Sequence, residues 1–261
     1  MRGRRTGRRH PAGAAVSAAI AVEHHADRVV ATLNRPEVRN AIDLQTSEEL
    51  HELCACLESD PKVLLLTGAG GIFAAGADIN QMRERRRDDA LRGINSRAFS
   101  RLQRLPMPTI ALVDGYALGG GAELAYACDF RIGTTSARFG NPEPGLGIIA
   151  SAGGTWRLRE IVAEPVAKEI LLAGRVLDAD EARRAGLLNE VVERDELVPA
   201  GHRWADRITR QVPLAVRLTK AVFHSPREAH PFVDDVAQAV LFETDEKFER
   251  MTAFLERKKT S

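Results

Sequence analysis

An α/β fold follows from three features of this sequence. Residues 62–67 (KVLLLT) and Thr109–Val113 (TIALV) are short, continuous apolar runs of the kind buried on both faces of a sheet. Each run leads into a glycine-containing turn and then a helical pattern. A third run, Phe130–Thr134, follows directly on the helix that begins in the glycine cluster at 119–121. Strands that alternate with helices in this way predict an α/β architecture.

The elements follow in order. Residues 29–33 (VVATL) read as the first strand, which Asn34-Arg35-Pro36 ends because proline offers no N–H to a ladder. A helix is predicted over Leu44–Ser59, with Leu50, Leu53, Cys54 and Leu57 on one face. The charged run 83–89 (RERRRDD) reads as the solvated face of a helix or loop. From residue 163 the pattern is mostly helical, over 166–173, 178–185, Leu197–Thr209, 214–223 and 234–255, with one short strand at 189–192. The expected organisation is a basic tail over 1–18, a core over 19–198 and a helical region over 199–261.

Composition bounds the partners. With 37 Lys+Arg against 36 Asp+Glu, no general electrostatic pull toward nucleic acid or a membrane surface is predicted. The opening stretch carries five arginines and no acidic residue; it reads as a disordered tail or a start placed too far upstream, with an organelle transit peptide or a basic binding arm as the alternatives, and the folded part is expected to begin near Ile20. No apolar run approaches the ~20 residues that span a bilayer. The three cysteines form neither a disulfide framework nor a zinc pattern, so no metal is expected and a reducing cytoplasm fits best. Cys54 and Cys56 read as small packing residues.

Two segments carry chemistry. In GIFAAGAD (Gly71 to Asp78) small side chains let a ligand approach the backbone closely. In GYALGGGAELA (Gly115 to Ala125) glycines lead into a helix with Glu123 in its first turn, where exposed amides suit an anionic oxygen. Neither cluster has the spacing of a dinucleotide fingerprint or a P-loop. Glu143 stands in FGNPEPGLG, a loop stiffened by prolines on both sides of the acid. Two such acids can divide proton transfer between them.

In combination, FAAGAD, ALGGGAELA, FGNPEPGLG and AGGTWRL, in this order, resemble the crotonase (enoyl-CoA hydratase/isomerase) superfamily. The resemblance runs from about residue 20 to 259 and includes LNRPEVRNA, AGRVLDADEARRAGLLNEVV and the closing MTAFLERKK. It implies a spiral of β-β-α units followed by helices that build trimers, commonly paired into hexamers. It also implies an oxyanion hole formed by the backbone N–H groups of Ala77 and Gly120, and two catalytic glutamates, Glu123 and Glu143. The implied reaction is addition of water across the 2,3-double bond of an enoyl-CoA, with coenzyme A as part of the substrate and no further cofactor. Coenzyme A would lie along Ala75, Gly76 and Asp78, its phosphates near Lys258 or Lys259.

Some positions depart from the family pattern. Ser151 stands where a glycine usually offers its amide to the catalytic water, so that contact would fall to the Ser151 N–H. Asn80 replaces a frequent lysine, Arg250 a common glycine, and Trp156 brings bulk beside the expected pocket, where a core or trimer-interface role is the plainer reading. The acyl pocket walls are expected from residues 81–99. The nearest alternative is Δ3,Δ2-enoyl-CoA isomerisation or another crotonase reaction, and isomerase relatives often keep only one of the two acids. A non-catalytic member that binds CoA or RNA is the remote alternative.

Overall fold

The computed structural model describes residues 18–260, with side chains as far as residue 257. The expected basic tail, up to residue 17, and the side chains of Lys258 and Lys259 lie outside the described residues.

Strands β1 (Ile20–His24) and β2 (Arg28–Leu33) form an antiparallel pair, followed by α1 (Leu44–Ser59) and β3 (Val63–Gly68). Three short helices, α2 (Ile79–Glu84), α3 (Arg87–Arg92) and α4 (Ile94–Gln103), lead to β4 (Thr109–Val113), β5 (Tyr116–Leu118) and α5 (Gly120–Tyr126). Then come β6 (Phe130–Thr134), β7 (Arg138–Gly140), α6 (Gly154–Ile161), α7 (Glu164–Ala173), α8 (Ala179–Arg184) and β8 (Glu190–Val192). The chain closes with α9 (Leu197–Thr209), α10 (Pro213–Phe223), α11 (Phe232–Phe242) and α12 (Asp245–Thr260).

Six strands make one sheet in the order β1-β2-β3-β4-β6-β8, parallel after the first pair, and β5 pairs with β7 in a second, smaller sheet. Single bridges, Ile42 with Ala77 and Ala74 with Ala117, bring the GIFAAGAD segment alongside β5. The large sheet is a floor, and the glycine turn at 119 leaves from the small one.

The two apolar runs become β3 and β4, in which Val63 to Leu66 and Ile110 to Val113 are wholly buried. Each Val, Leu or Ile side chain so removed from water contributes about 1.5–3 kcal/mol. Helix α1 begins where the Asp43 carboxylate accepts the Thr46 amide at 2.8 Å, and it buries Leu50, Leu53, Cys54 and Leu57. Cys56 is exposed, because two residues from Cys54 it points off the buried face; its reading as a packing residue does not hold.

Other differences have local causes. Strand β1 buries only Ile20, and β5 and β7 have three residues each, so none shows an alternation long enough to read. The single helix expected over 234–255 is two: α11 stops at Phe242 with Glu243 as its cap, and the Thr244 hydroxyl accepts the Lys247 amide at 3.4 Å at the start of α12. The division expected between residues 198 and 199 falls inside α9, whose Leu197, Ala200 and Ala205 are buried against the sheet. Helix α10 is tied to the core by Lys220, which donates to Asp129 at 2.6 Å and to the Met107 carbonyl at 3.1 Å. Among the described residues no helix is long and apolar enough to cross a membrane.

Candidate active site

The site is built where the chain leaves β5. Gly119 has φ 51° and ψ −125°, a conformation that glycine alone adopts freely, and it turns the backbone sharply into α5. The approach is pinned because the Leu118 amide donates to the Ala74 carbonyl at 3.1 Å and the Gly119 amide to the Gly140 carbonyl at 2.8 Å. Gly120 then begins the helix, and among the described residues no acceptor takes its N–H. Ala77 reaches the same place from the other segment. Its neighbours are spent on Ile42, which donates to the Gly76 carbonyl at 2.8 Å and accepts from the Asp78 amide at 3.0 Å, while the Ala77 N–H has no acceptor among the described residues. A methyl group on Gly120 would stand 3.4 Å from the Ala77 nitrogen, so the two open amides belong to residues packed against each other. Preorganised donors of this kind can take up a developing oxyanion.

Two carboxylates border that space. Glu123, 4% exposed, lies one turn into α5 and accepts the Gly154 amide at 2.9 Å. Glu143, 7% exposed, opens the 3-10 turn 143–146 after Pro142. Its Oε1 accepts from Asn141 at 3.4 Å, and the Asn141 side-chain oxygen accepts the Tyr126 hydroxyl at 3.1 Å. Its Oε2 is buried with no partner. An orphaned buried oxygen costs about 1–3 kcal/mol, and one left open beside free amides marks a place made for an incoming donor. The acids share their surroundings: a methyl on Gly119 would sit 3.3 Å from Glu143 Oε1, and one on Gly154 would sit 3.3 Å from Glu123 Oε1 and 3.4 Å from the Asn141 amide nitrogen.

Burial pushes the Glu123 carboxyl up from the usual 4.5 to about 7; the Gly154 amide opposes the shift, the Glu143 charge adds to it, and the Ala152 amide and Arg157 oppose it. Burial also raises Glu143. Glu123 is thus held where it can exchange protons near neutral pH, and Glu143 is held above the ordinary carboxylate range.

The remaining predicted residues are placed as follows. The Ala75 amide donates to the Arg39 carbonyl at 3.0 Å, beside Gly76 and Ala77. The Asp78 carboxylate caps α2 by accepting the Gln81 amide at 2.9 Å, so that side chain is already engaged. Ser151 is exposed in the turn before α6. A cavity of about 370 Å³ lies behind the 144–150 loop, between it and helices α6 and α7, lined by Ile149, Ala150, Thr155 and Leu171 among others; it contains neither acid.

The same constellation of turns recurs in known proteins. The model of the enoyl-CoA hydratase/isomerase family matches residues 24–261. The chain is 39% identical to a short-chain-enoyl-CoA hydratase of Clostridium acetobutylicum over 92% of its own length and 95% of the relative's. It is likewise 39% identical to a crotonyl-CoA hydratase of Syntrophomonas wolfei, over 93% of this chain and 96% of that one.

The chain belongs to the enoyl-CoA hydratase/isomerase family.

Among solved structures, an enoyl-CoA hydratase from Bacillus anthracis superposes with a TM-score of 0.86 at 32% identity, covering 92% of this chain and 96% of that one. An enoyl-CoA hydratase from Mycobacterium smegmatis gives the same TM-score of 0.86 at 29% identity, covering 92% and 96%. In this member of the hydratase/isomerase family the departures from the common pattern are all exposed. Asn80 lies on α2, Trp156 is 43% exposed and so is no core residue, and Arg250 donates to the Arg210 carbonyl at 3.1 Å. Sequence reading missed Asn141, Tyr126 and Gly154. Asn141 and Gly154 lie inside the quoted motifs, but only contacts across 15 to 31 residues reveal what they hold.

Proposed function

We propose that this protein hydrates 2-enoyl-CoA thioesters to 3-hydroxyacyl-CoA, and that Glu123, Glu143 and the amides of Ala77 and Gly120 carry the reaction. The observation that bears most weight is the pair of buried carboxyls beside two unpartnered amides, one carboxyl having an open oxygen. The thioester oxygen sits between the Ala77 and Gly120 N–H groups, which polarise the conjugated double bond. A water held between the acids gives a proton to Glu123 as its oxygen bonds to C3. Glu143 delivers a proton to C2 as the enolate collapses. The assignment of roles follows the geometry: Glu123 accepts the Gly154 amide at 2.9 Å, whereas Glu143 Oε2 has no partner among the described residues. The Ser151 amide is the further proposed contact for the water.

Coenzyme A is held along Ala75 to Ala77, and its phosphates meet basic groups that include Lys258 or Lys259. No metal or redox cofactor enters the mechanism, because the thioester itself makes the α-carbon acidic. The functional unit is a homotrimer or a pair of trimers, a reading supported by the apolar surface of Phe223, Phe232, Phe248 and Phe254 on the C-terminal helices. The protein works in the cytoplasm.

The test is the loss of enoyl-thioester absorbance with crotonyl-CoA, run beside Glu123→Ala and Glu143→Ala. Turnover lost in both variants supports the two-carboxylate hydratase. Dependence on one acid alone points to isomerisation, and a folded native protein that hydrates neither crotonyl-CoA nor longer enoyl-CoAs overturns the proposal.

A further inference from the structure

Behind the catalytic face of Glu123 lies a charge that the hydration mechanism does not use. Arg157, on α6, is 1% exposed and is the largest of the fully buried side chains described. Its guanidinium donates to the Ala152 carbonyl at 2.7 Å, to Gln103 at 2.9 Å and to Ser100 at 3.1 Å, and it stacks 4.0 Å from the centre of the Trp156 ring. Among the described residues no carboxylate forms an ion pair with it. A buried cation without a salt bridge is costly, which makes its position informative.

The turn it grips is the one that serves Glu123. Ala152 offers its carbonyl to Arg157, and two residues on, the Gly154 amide donates to Glu123 at 2.9 Å. Gly153, between them, has φ 134°, and a methyl there would fall 1.8 Å from the guanidinium nitrogen. Arg157 occupies the space that a side chain at 153 would fill, so the turn and the cation are packed directly against each other. The ionisable groups around Glu123 are Glu143 from the 143–146 turn, Tyr126 on its own helix and Arg157 from α6. Arg157 in turn feels Glu160, Cys128 and Arg104. It is the one cation in the set that faces Glu123.

We propose that Arg157 is a positioning residue: from behind the 152–154 turn it fixes the amides that face Glu123 and holds its positive charge on the side of that carboxylate. This rests on the reading of Glu123 as the base. Removing the charge disfavours ionised Glu123, so its titration moves to higher pH.

The test reads that titration without needing turnover, as the protonated-carboxyl infrared band identified by its absence in Glu123→Gln. In Arg157→Gln, which keeps a donor for the Ala152 carbonyl and removes the charge, the midpoint rises by about one pH unit. In Arg157→Lys it returns toward the native value. The acid limb of kcat for crotonyl-CoA follows the same order, with kcat at pH 7 lower by about fivefold in Arg157→Gln and KM little changed. If Arg157→Gln does not fold, Ser100→Ala with Gln103→Leu loosens the guanidinium from the α4 side and shifts the midpoint the same way by less. An unmoved midpoint in the folded variants overturns the proposal, even where hydration is intact. A moved midpoint in a protein that does not hydrate enoyl-CoA sustains it and overturns the hydratase reading instead.

Discussion

Leu65 in β3 and Phe232 in α11 are both large apolar residues, yet Leu65 is fully buried and Phe232 is 73% exposed. The contrast holds for the regions they represent. The sheet and the helices packed on it close their own hydrophobic surface, whereas α11 has no buried residue and α10 buries only Lys220. The core is therefore where the molecule can afford two buried acids and an unpaired cation, because dense packing holds them despite their desolvation. Helix α11 buries nothing within a single chain, and its large apolar residues Phe232, Val236, Val240 and Phe242 stay exposed there.

Changes at the site test the first half of this contrast and have the largest effects. Glu123→Ala or Glu143→Ala lowers kcat for hydration by about 10²–10⁴-fold, measured by enoyl-thioester absorbance, with the folded state retained in circular dichroism. Gly120→Ala places a methyl against the Ala77 amide and lowers kcat by about 10²–10³-fold. If its activity stays native, the two amides do not act as a pair.

Packing comes next. Leu65→Ala costs about 2–5 kcal/mol of unfolding free energy in a denaturant titration, the value for a fully buried leucine.

The cost of holding the acids gives a pH signature. The carboxyl of Glu123 is raised from 4.5 to about 7, so the folded state binds the extra proton. Stability from this group is complete below about pH 4 and is lost as pH rises through 7. Glu123→Gln, which carries no charge, therefore stabilises the protein at pH 8 by up to about 3 kcal/mol and leaves it nearly unchanged at pH 4. Equal melting shifts at both pH values would show that the carboxyl is not strained by burial.

The smallest effect is expected at the periphery. Phe232→Ala changes the unfolding free energy of a single chain by no more than about 0.5 kcal/mol, the usual range for a surface side chain. On the proposed trimer its effect falls on assembly instead, and sedimentation shows a weaker oligomer. A large loss of chain stability with assembly unaltered would erase the contrast between the two regions.

How much of this was legible in the sequence depended on the range of the interactions. Helices α1 and α9 and strands β4 and β6 coincide with their expected bounds, since periodicity and apolar runs are properties of neighbouring residues. The break at Thr244 was overlooked because a cap of one hydroxyl is a weaker signal than the apolar pattern continuing across it. Glu123, Glu143, Ala77 and Gly120 were found through ordered motifs, and the structure brings all four to one place. Asn141 and Arg157 were passed over as functional residues, because an amide and a guanidinium reveal a role only through what they touch.

The sequence by itself determined the alternation of strands and helices, the absence of a long apolar span and the motif order that identifies the family. These rest on local spacing. Only the tertiary structure decided that both acids are buried, that among the described residues one carboxylate oxygen and two amides are left open, and that the Arg157 guanidinium holds the turn that serves Glu123. Desolvation and hydrogen-bond satisfaction depend on groups far apart in the chain, such as Gly154 against Glu123 and Ser100 against Arg157, and no pattern of neighbouring residues encodes them.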